Sequence, residues 1–483
     1  MTAPVAVAVW LQPVLLTVLA LRVAAGDAEV PWLALGALIA PLVALLAPTR
    51  RRAGSNPIAA AAATLALAMV LAADFVVAAD AATLLGGTPW HGVGLAAGLT
   101  LLMPLLPASR WIGTLAPAVA VVALLLPLTA VALAMGTAPW SAWSHGSLRA
   151  ALTFPEASEW VVDGERFPRP ARLTFTEGQR VTALTAGMYR VVERDVTPPT
   201  VRQWRLGAGE ALTLRPGDEL SIEAGARLRF DAGRRVPGAP ASGIAWADAP
   251  GRGPAMLPGA LGALVTLVGG ALALVPATRQ WGLPAAGAPL VLMAAVATAV
   301  GWGVYAAAAA PDLALGGSLL APLLRLPPRA LGARTGDAVA ALALGAVGVL
   351  LVTAAMALRR RLAATAGPRR AVWAAVVGLA AMLAAWSPDP WRLLVLGLGL
   401  AAAVWTPSLL ASHRAAALAG SGVGAVVFVG LSGLPLLAPG VEAWLDALVR
   451  YPALVAMPLG WATARALGDP AGAGRPRARR AAQ

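Results

Sequence analysis

Long apolar runs alternate with short polar segments along almost the whole chain. Most of the runs hold roughly 18 to 25 residues, which at about 1.5 Å per residue is enough to cross a hydrocarbon core of about 30 Å. This pattern predicts a polytopic α-helical membrane protein with about twelve transmembrane helices. The predicted helices lie at about 5–25, 30–47, 57–79, 93–106, 112–135, 255–277, 284–309, 339–358, 371–386, 391–410, 415–437 and 451–467.

One segment, residues 137–253, has a different pattern. Apolar and polar residues alternate there with a period of two, and Gly, Pro and Asp interrupt the alternation. Thirteen of the 23 acidic residues of the chain lie in this segment, beside fifteen arginines, so it is nearly neutral. These features predict an inserted, water-exposed all-β domain, either a small antiparallel sandwich or a barrel-like fold. The predicted strands are 172–175, 189–192, 211–214, 219–222 and 227–230.

The two patterns divide the chain into four parts. We expect an N-terminal membrane domain at 1–136 with about five helices, the β-rich domain at 137–253, a C-terminal membrane domain at 254–467 with about seven helices, and a disordered basic tail at 468–483. Arginine clusters such as Arg50–Arg52 and Arg359–Arg361 mark cytoplasmic helix ends by the positive-inside rule. That rule predicts that both termini are cytoplasmic and that the β-rich domain is extracytoplasmic.

Two further segments do not fit a simple span. Residues 312–337 are too apolar for a solvated loop, and we expect a surface-lying or re-entrant segment there. Residues 442–450 have the pattern of a short amphipathic helix at the outer interface.

Composition narrows the class of protein. With 59% hydrophobic residues, 12% charged residues and a mean hydropathy of +0.73, a soluble fold is excluded. The net charge of +14 would suggest nucleic acid as a partner of a soluble protein, but here the arginines lie between apolar runs and predict contact with lipid headgroups. All of the cationic side chains are Arg, which together with the excess of Ala, Gly, Pro and Leu suggests a bacterial inner-membrane protein.

Charged residues inside apolar runs are the usual indication of function in a membrane protein. Asp74 is predicted to lie in the outer half of the third helix and Arg22 near the outer end of the first, so they are a candidate intramembrane polar pair. An ion or proton site is one interpretation of this pair. A structural pair or interfacial snorkelling is the favoured one.

Three arginines of the predicted outer loop, Arg325, Arg329 and Arg334, form a second candidate site for anionic groups. Arginine forks suit phosphate, so a lipid-linked pyrophosphate is one possible ligand, and Asp312 and Asp337 on either side of the loop would be available as acid or base. Anchoring to lipid headgroups is the favoured interpretation.

Metals and cofactors have little support in the sequence. His91, His145 and His413 are not paired with one another or with a carboxylate at ligand spacing, and the chain has no cysteine. We therefore predict no metal and no cofactor, although a single His as a ligand of a pigment or haem stays open. No sequence motif identifies a catalytic residue.

Three function classes remain. The first is a non-enzymatic membrane subunit or scaffold of a larger complex, whose outer β-domain docks a partner protein; scarce intramembrane charge favours it. The second is a transporter or channel, which a count of twelve helices suits. The third is a membrane enzyme that acts on a lipid-linked phosphate-containing substrate at the outer face, and it depends on the three arginines.

Overall fold

The computed structural model describes the chain in part. The described residues are 10–24, 29–46, 56–102, 110–136, 158–161, 171–175, 177–193, 200–222, 226–232, 234, 257–274, 287–309, 318–366, 370–387, 389–411, 414–437 and 442–468. The predicted disordered tail at 468–483 lies outside this part except for its first residue.

Helices make up most of the described chain. In chain order they are α1 (Pro13–Ala24), α2 (Val30–Leu46), α3 (Pro57–Leu84), α4 (Pro89–Leu102), α5 (Arg110–Met135), α6 (Leu257–Leu274), α7 (Gly287–Ala309), α8 (Ala321–Leu331), α9 (Ala333–Ala366), α10 (Arg370–Trp386), α11 (Pro390–Leu400), a π-helical segment (Ala401–Trp405), α12 (Thr406–Leu410), α13 (Arg414–Leu437), α14 (Glu442–Arg450) and α15 (Ala453–Gly468).

The number of membrane spans is smaller than predicted. Six described helices are long and apolar enough to cross a membrane, in place of the expected twelve. Five other apolar helices have only 10–17 residues. At about 1.5 Å per residue these reach roughly 15–26 Å, less than the hydrocarbon core of about 30 Å. The six candidate spans are Pro57–Leu84, Leu115–Met135, Leu290–Ala307, Ala333–Arg360, Pro390–Ser408 and Arg414–Leu434.

Small residues allow the membrane helices to pack closely. Gly424 of α13 lies against the π-helical segment, where an added Cβ would overlap the carbonyl oxygen of Ala403. Gly420 and Gly460 bring α13 and α15 together in the same way: an added Cβ on Gly420 would lie 2.6 Å from the carbonyl oxygen of Gly460. In lipid, such close backbone approach provides the dispersion contacts that hold helices together, because apolar burial provides little drive.

Asn56 holds the start of α3 against two later helices, α12 and α13. Its Oδ1 accepts hydrogen bonds from the backbone N–H groups of Ile58 and Ala59, as an N-cap. Its Nδ2 lies 3.2 Å from Ser408 Oγ and 3.0 Å from Ser421 Oγ. The hydroxyl of Ser421 in turn donates to the carbonyl of Val404. The buried side chain of Asn56 thereby has hydrogen-bond partners for both of its polar atoms, and it caps backbone N–H groups at the start of α3.

The β-rich segment folds as two packed antiparallel sheets. One sheet has the strand order β1-β8-β3-β6 and the other β2-β7-β4-β5, which is the order of a double-sheet jelly roll. Their inner faces enclose a core that includes Phe175, Tyr189, Leu220 and Phe230, separate from the core of the helices. The strands are β1 (Ser158–Val161), β2 (Ala171–Thr174), β3 (Gln179–Ala183), β4 (Gly187–Glu193), β5 (Thr200–Leu206), β6 (Ala211–Leu214), β7 (Glu219–Ile222) and β8 (Arg227–Phe230).

The two alternatives predicted for this domain are thereby separated. A sandwich forms and a closed barrel does not, because each sheet ends in edge strands among the described residues. The five predicted strands correspond to β2, β4, β6, β7 and β8, whereas β1, β3 and β5 were not predicted. Strand β5, Thr-Val-Arg-Gln-Trp-Arg-Leu, lacks a regular apolar alternation, because six of its seven residues are exposed.

Local chemistry explains the turn at 215–218 between β6 and β7. Pro216 and Gly217 occupy its two central positions, and Gly217 has a φ of +90°, which favours glycine. The carboxylate of Asp218 accepts the backbone N–H of Arg215 at 2.7 Å, and the N–H of Asp218 donates to the carbonyl of Arg215 at 3.2 Å. Turn formation thus accounts for the acidic residue at this position.

The contact of Gly424 with the π-helical segment gives a test of the packing. Gly424→Ala should destabilise the membrane domain by about 1–3 kcal/mol, the usual range for overpacking, because the new methyl group meets backbone and not a movable side chain. Gly422→Ala is the matched control, since a Cβ there meets nothing within 4 Å. The measurement is the free energy of unfolding in mixed micelles. Equal values for the two variants would contradict this packing.

Candidate functional site

A cluster of four polar residues joins the beginning and the end of the chain. Glu29, directly before α2, accepts hydrogen bonds from Tyr451 Oη at 2.6 Å and Arg22 Nη1 at 3.3 Å through Oε2, and from Arg450 Nη1 at 3.1 Å through Oε1. We call these four residues the Glu29 cluster. Glu29 is 7% exposed and Tyr451 is fully buried. One carboxylate therefore receives donors from both α1 and the α14–α15 connection.

Neighbouring helices shape the space around this cluster. Gly259 and Gly262 lie one turn apart on α6, where added Cβ atoms would lie 3.1 Å from Glu29 Oε1 and 2.7 Å from Tyr451 Cβ. The guanidinium of Arg22 also lies 4.6 Å from the ring centroid of Trp391, a cation–π contact. Glycines on one side and an indole on another thus fix the positions of the charged groups.

The electrostatics favour a neutral Tyr451. Burial, with the nearby charge of Glu29 and the hydrogen bond to it, raises the pKa of Tyr451 well above its ordinary value near 10. Tyr451 therefore stays a hydrogen-bond donor through the physiological range. The cluster holds a fixed ion pair and offers no nucleophile, so its geometry fits a structural link better than a catalytic centre.

The candidate pair Arg22 and Asp74 is not brought together. Arg22 lies in the last turn of α1 and interacts with Glu29, whereas Asp74 contacts the first turn of the same helix, where its Oδ1 accepts the N–H of Val14 at 3.2 Å. Val14 and Arg22 are eight residues apart, or about 12 Å along a helix. The two charged groups thus act at opposite ends of α1.

Asp74 is the most deeply buried acidic side chain of the described residues. It is 1% exposed, and its Oδ2 has no hydrogen-bond partner. A buried ionised carboxylate without a cation costs several kcal/mol at least, whereas one unsatisfied hydroxyl costs about 1–3 kcal/mol. These magnitudes favour the neutral acid over the carboxylate.

The three candidate arginines lie on exposed surface. Arg325 and Arg329 are one turn apart on α8, and Arg334 follows on α9 after Gly332, whose φ is +81°. Helix α8 is amphipathic, with Leu323 and Leu326 on its buried face, which agrees with the predicted surface-lying segment. The proposed contact of these arginines with anionic groups stays a prediction.

Asp80 ties this amphipathic helix to the end of α3. Its Oδ2 accepts the hydroxyl of Ser318 at 3.0 Å and the backbone N–H of Leu320 at 2.9 Å, directly before α8. Arg325 interacts with the same carboxylate electrostatically. Asp80 therefore fixes the position of α8, a role that the sequence analysis did not assign.

The histidines give no more information about a ligand. His91 is exposed, and its Nδ1 accepts the backbone N–H of Thr88 at the start of α4. His145, His413 and Asp312 lie outside the described residues. The predicted absence of a metal and of a cofactor stays a prediction.

Comparisons with known proteins identify no relative: no family model, no curated protein and no solved structure matches the chain.

Sequence reasoning missed the Glu29 cluster. A local signal was present, since Glu29 lies in the short acidic turn seven residues after Arg22. The other half of the cluster is formed by Arg450 and Tyr451. Arg450 lies 421 residues after Glu29 in the sequence. No periodicity reports a contact over such a distance.

The Glu29 cluster predicts a ranking of substitutions. Glu29→Gln removes the charge that both arginines face, and should cost about 3 kcal/mol or more. Tyr451→Phe removes one hydrogen bond to a charged group and should cost about 1.5–3 kcal/mol. Arg450→Gln should cost less than about 1 kcal/mol, because its side chain is 44% exposed and water screens the pair. The measurement is the free energy of unfolding in mixed micelles, and the reverse order would contradict a structural link centred on Glu29.

Proposed function

We propose that this chain is a multi-pass membrane subunit whose extracytoplasmic jelly roll docks a partner protein through strand β5. The observation that carries the proposal is the exposure of this edge strand. The six apolar helices support a membrane location, and the β5 surface supports a protein partner. A bacterial inner membrane and cytoplasmic termini belong to the same proposal.

Strand β5 has the features of a docking edge. It pairs with β4 on one side and ends the order of its sheet, so its other backbone edge has no neighbouring strand in the described domain. Val201 and Trp204 are 47% and 42% exposed on opposite faces of the strand. Exposed edges are usually short or protected, and unprotected ones recruit an extended peptide as an added strand.

The chemistry around β5 favours an acidic partner segment. Arg205 and Gln203 face the outer side of the sheet together with Arg190, which pairs with Gln203 across the strands. Arg202 points to the other side and forms an exposed ion pair with Glu193 at 3.4 Å. A peptide that carries carboxylates and one apolar side chain for Trp204 would match this surface.

The membrane helices support an assembly role over a substrate path. A cavity of about 20 Å³ beside α1 has room for roughly one water molecule, and its lining is almost wholly apolar, with Trp302, Leu124 and Leu350 among the residues. Elsewhere in the interior, helices approach one another closely at glycines, and buried side chains form hydrogen bonds between helices. Such a body suits the anchoring of partners.

A transporter is the second candidate, and one feature favours it. The π-helical segment Ala401–Trp405 interrupts the span formed by α11 and α12. Helix interruptions of this type often occur at functional sites. The enzyme alternative, which rests on Arg325, Arg329 and Arg334, stays a prediction.

The proposed orientation can be tested with single cysteines, because the chain contains none of its own. Cysteine in place of the exposed Thr213 in β6 should react with a membrane-impermeant maleimide in intact cells. Cysteine in place of the exposed Arg370, at the start of α10, should react only after the membrane is opened. The reverse pattern would overturn the orientation and, with it, the extracytoplasmic docking role.

The docking role of β5 can be tested with a photoreactive amino acid. At Gln203 in β5 it should form one discrete, stoichiometric crosslink to a partner in intact cells, whereas at Thr213 on the edge strand β6 it should not. Adding Trp204→Ala and Val201→Ser to the Gln203 variant should reduce that crosslink at least tenfold without loss of the folded domain. Equal crosslinking at the two edges, or none at either, would contradict the proposal.

A further inference from the structure

Asp74 occupies an unusual position in the membrane domain. It projects from the middle of α3 toward the start of α1, where Trp10, Leu11 and Gln12 are also buried. The chain is not helical at Leu11 and Gln12, and α1 begins at Pro13. The N–H of Val14 is therefore one of the donors that a helix start leaves without an intrahelical partner. Asp74 Oδ1 accepts it, as a cap supplied by another helix.

No cation compensates this carboxyl within the described chain. Among the described residues, its hydrogen-bond donor is the backbone N–H of Val14. The helices packed against α3 have their charged or titratable side chains near their ends, and α3 itself has Asp80 in its last turns. On these helices the groups are Arg22 of α1, His91 of α4, Arg334, Asp337 and Arg359–Arg361 of α9, Arg370 of α10, Arg392 of α11 and Arg414 of α13.

We propose that Asp74 is a proton-binding site of the membrane domain, with an exchangeable proton on Oδ2 at neutral pH. Uptake forms one O–H bond between Oδ2 and a proton from water and changes the side-chain charge from −1 to 0; no electrons are transferred. The ligand is the proton itself. This inference does not depend on the docking of a partner by β5.

Three observations carry the assignment. Asp74 is 1% exposed, its Oδ2 has no hydrogen-bond partner, and no cationic side chain of the described residues contacts it. A buried acid in these surroundings is held more stably with its proton than without it.

The alternative role is a purely structural cap, and one substitution separates the two. Asp74→Asn keeps an oxygen that can accept the hydrogen bond from the Val14 N–H, but its amide does not bind a proton near neutral pH. Asp74→Glu keeps a titratable carboxyl. Asp337→Asn is the matched control, because Asp337 is an exposed aspartate at the start of α9.

The experiment is infrared spectroscopy of the full chain in lipid vesicles at neutral pH, in H₂O and in D₂O. The wild type should show a carboxylic-acid C=O band that shifts in D₂O. Asp74→Asn should lose one carboxyl equivalent of this band, Asp337→Asn should lose none, and Asp74→Glu should retain it. The shift in wild-type protein stands without any variant, so a folding defect in a variant cannot decide the result.

Three outcomes would overturn the proposal. The first is the absence of a difference between the wild type and folded Asp74→Asn, which would mean that Asp74 is ionised. The second is a band that does not shift in D₂O, which would mean that the proton is not exchangeable. The third is a band that appears only when Na⁺ is removed, which would assign the site to a metal cation.

Discussion

The hydrocarbon interior cannot hydrogen-bond to the chain, so each polar group placed there needs a partner from the protein itself. Hydrogen bonds within each helix satisfy most backbone groups, and contacts between distant segments satisfy a set of buried side chains. The indole N–H groups of Trp10, Trp302 and Trp373 donate to the carbonyls of Ala37, Leu124 and Thr100. The Asn56 amide connects the start of α3 to Ser408 and Ser421. Because these bonds have fixed lengths, they also fix the close packing of the helices at Gly420 and Gly424.

The same constraint gives the two buried carboxylates of the N-terminal helices different roles. Glu29 faces two guanidinium groups and a tyrosine hydroxyl, so its charge is compensated and its position is rigid. Asp74 receives one backbone N–H and no guanidinium. Glu29 and Asp74 therefore differ in their hydrogen-bond and charge partners, and not only in their burial. Glu29 belongs to a permanent ion pair, whereas Asp74 is an acid that can exchange its proton.

Sequence patterns predicted the types of element well and the long-range geometry poorly. Period-two alternation found strands such as β4 and β6. It missed β3, whose buried positions include the polar Gln179, and β5, where exposure on both faces removes the alternation. Apolar length overestimated the spans, because a run such as 5–25 contains the helix break at Leu11 and Gln12. Arg22 and Asp74 were selected correctly as charges inside apolar runs, but their partners depend on how α1 packs, which no local pattern encodes.

Helix α1 connects the two carboxylates mechanically. Its first turn is capped by Asp74 at Val14 and its last turn holds Arg22 against Glu29, so the two contacts lie eight residues apart on a nearly wholly buried helix. The N-terminus of a helix carries a partial positive charge, which attracts an ionised Asp74 more strongly than a neutral one. Loss of the proton would therefore tighten the contact at one end of a rigid element whose other end is fixed in the Glu29 cluster. Through Arg450 and Tyr451 that cluster reaches α14 and α15, so α1 lies between the proposed proton site and a link that joins segments 421 residues apart in the sequence.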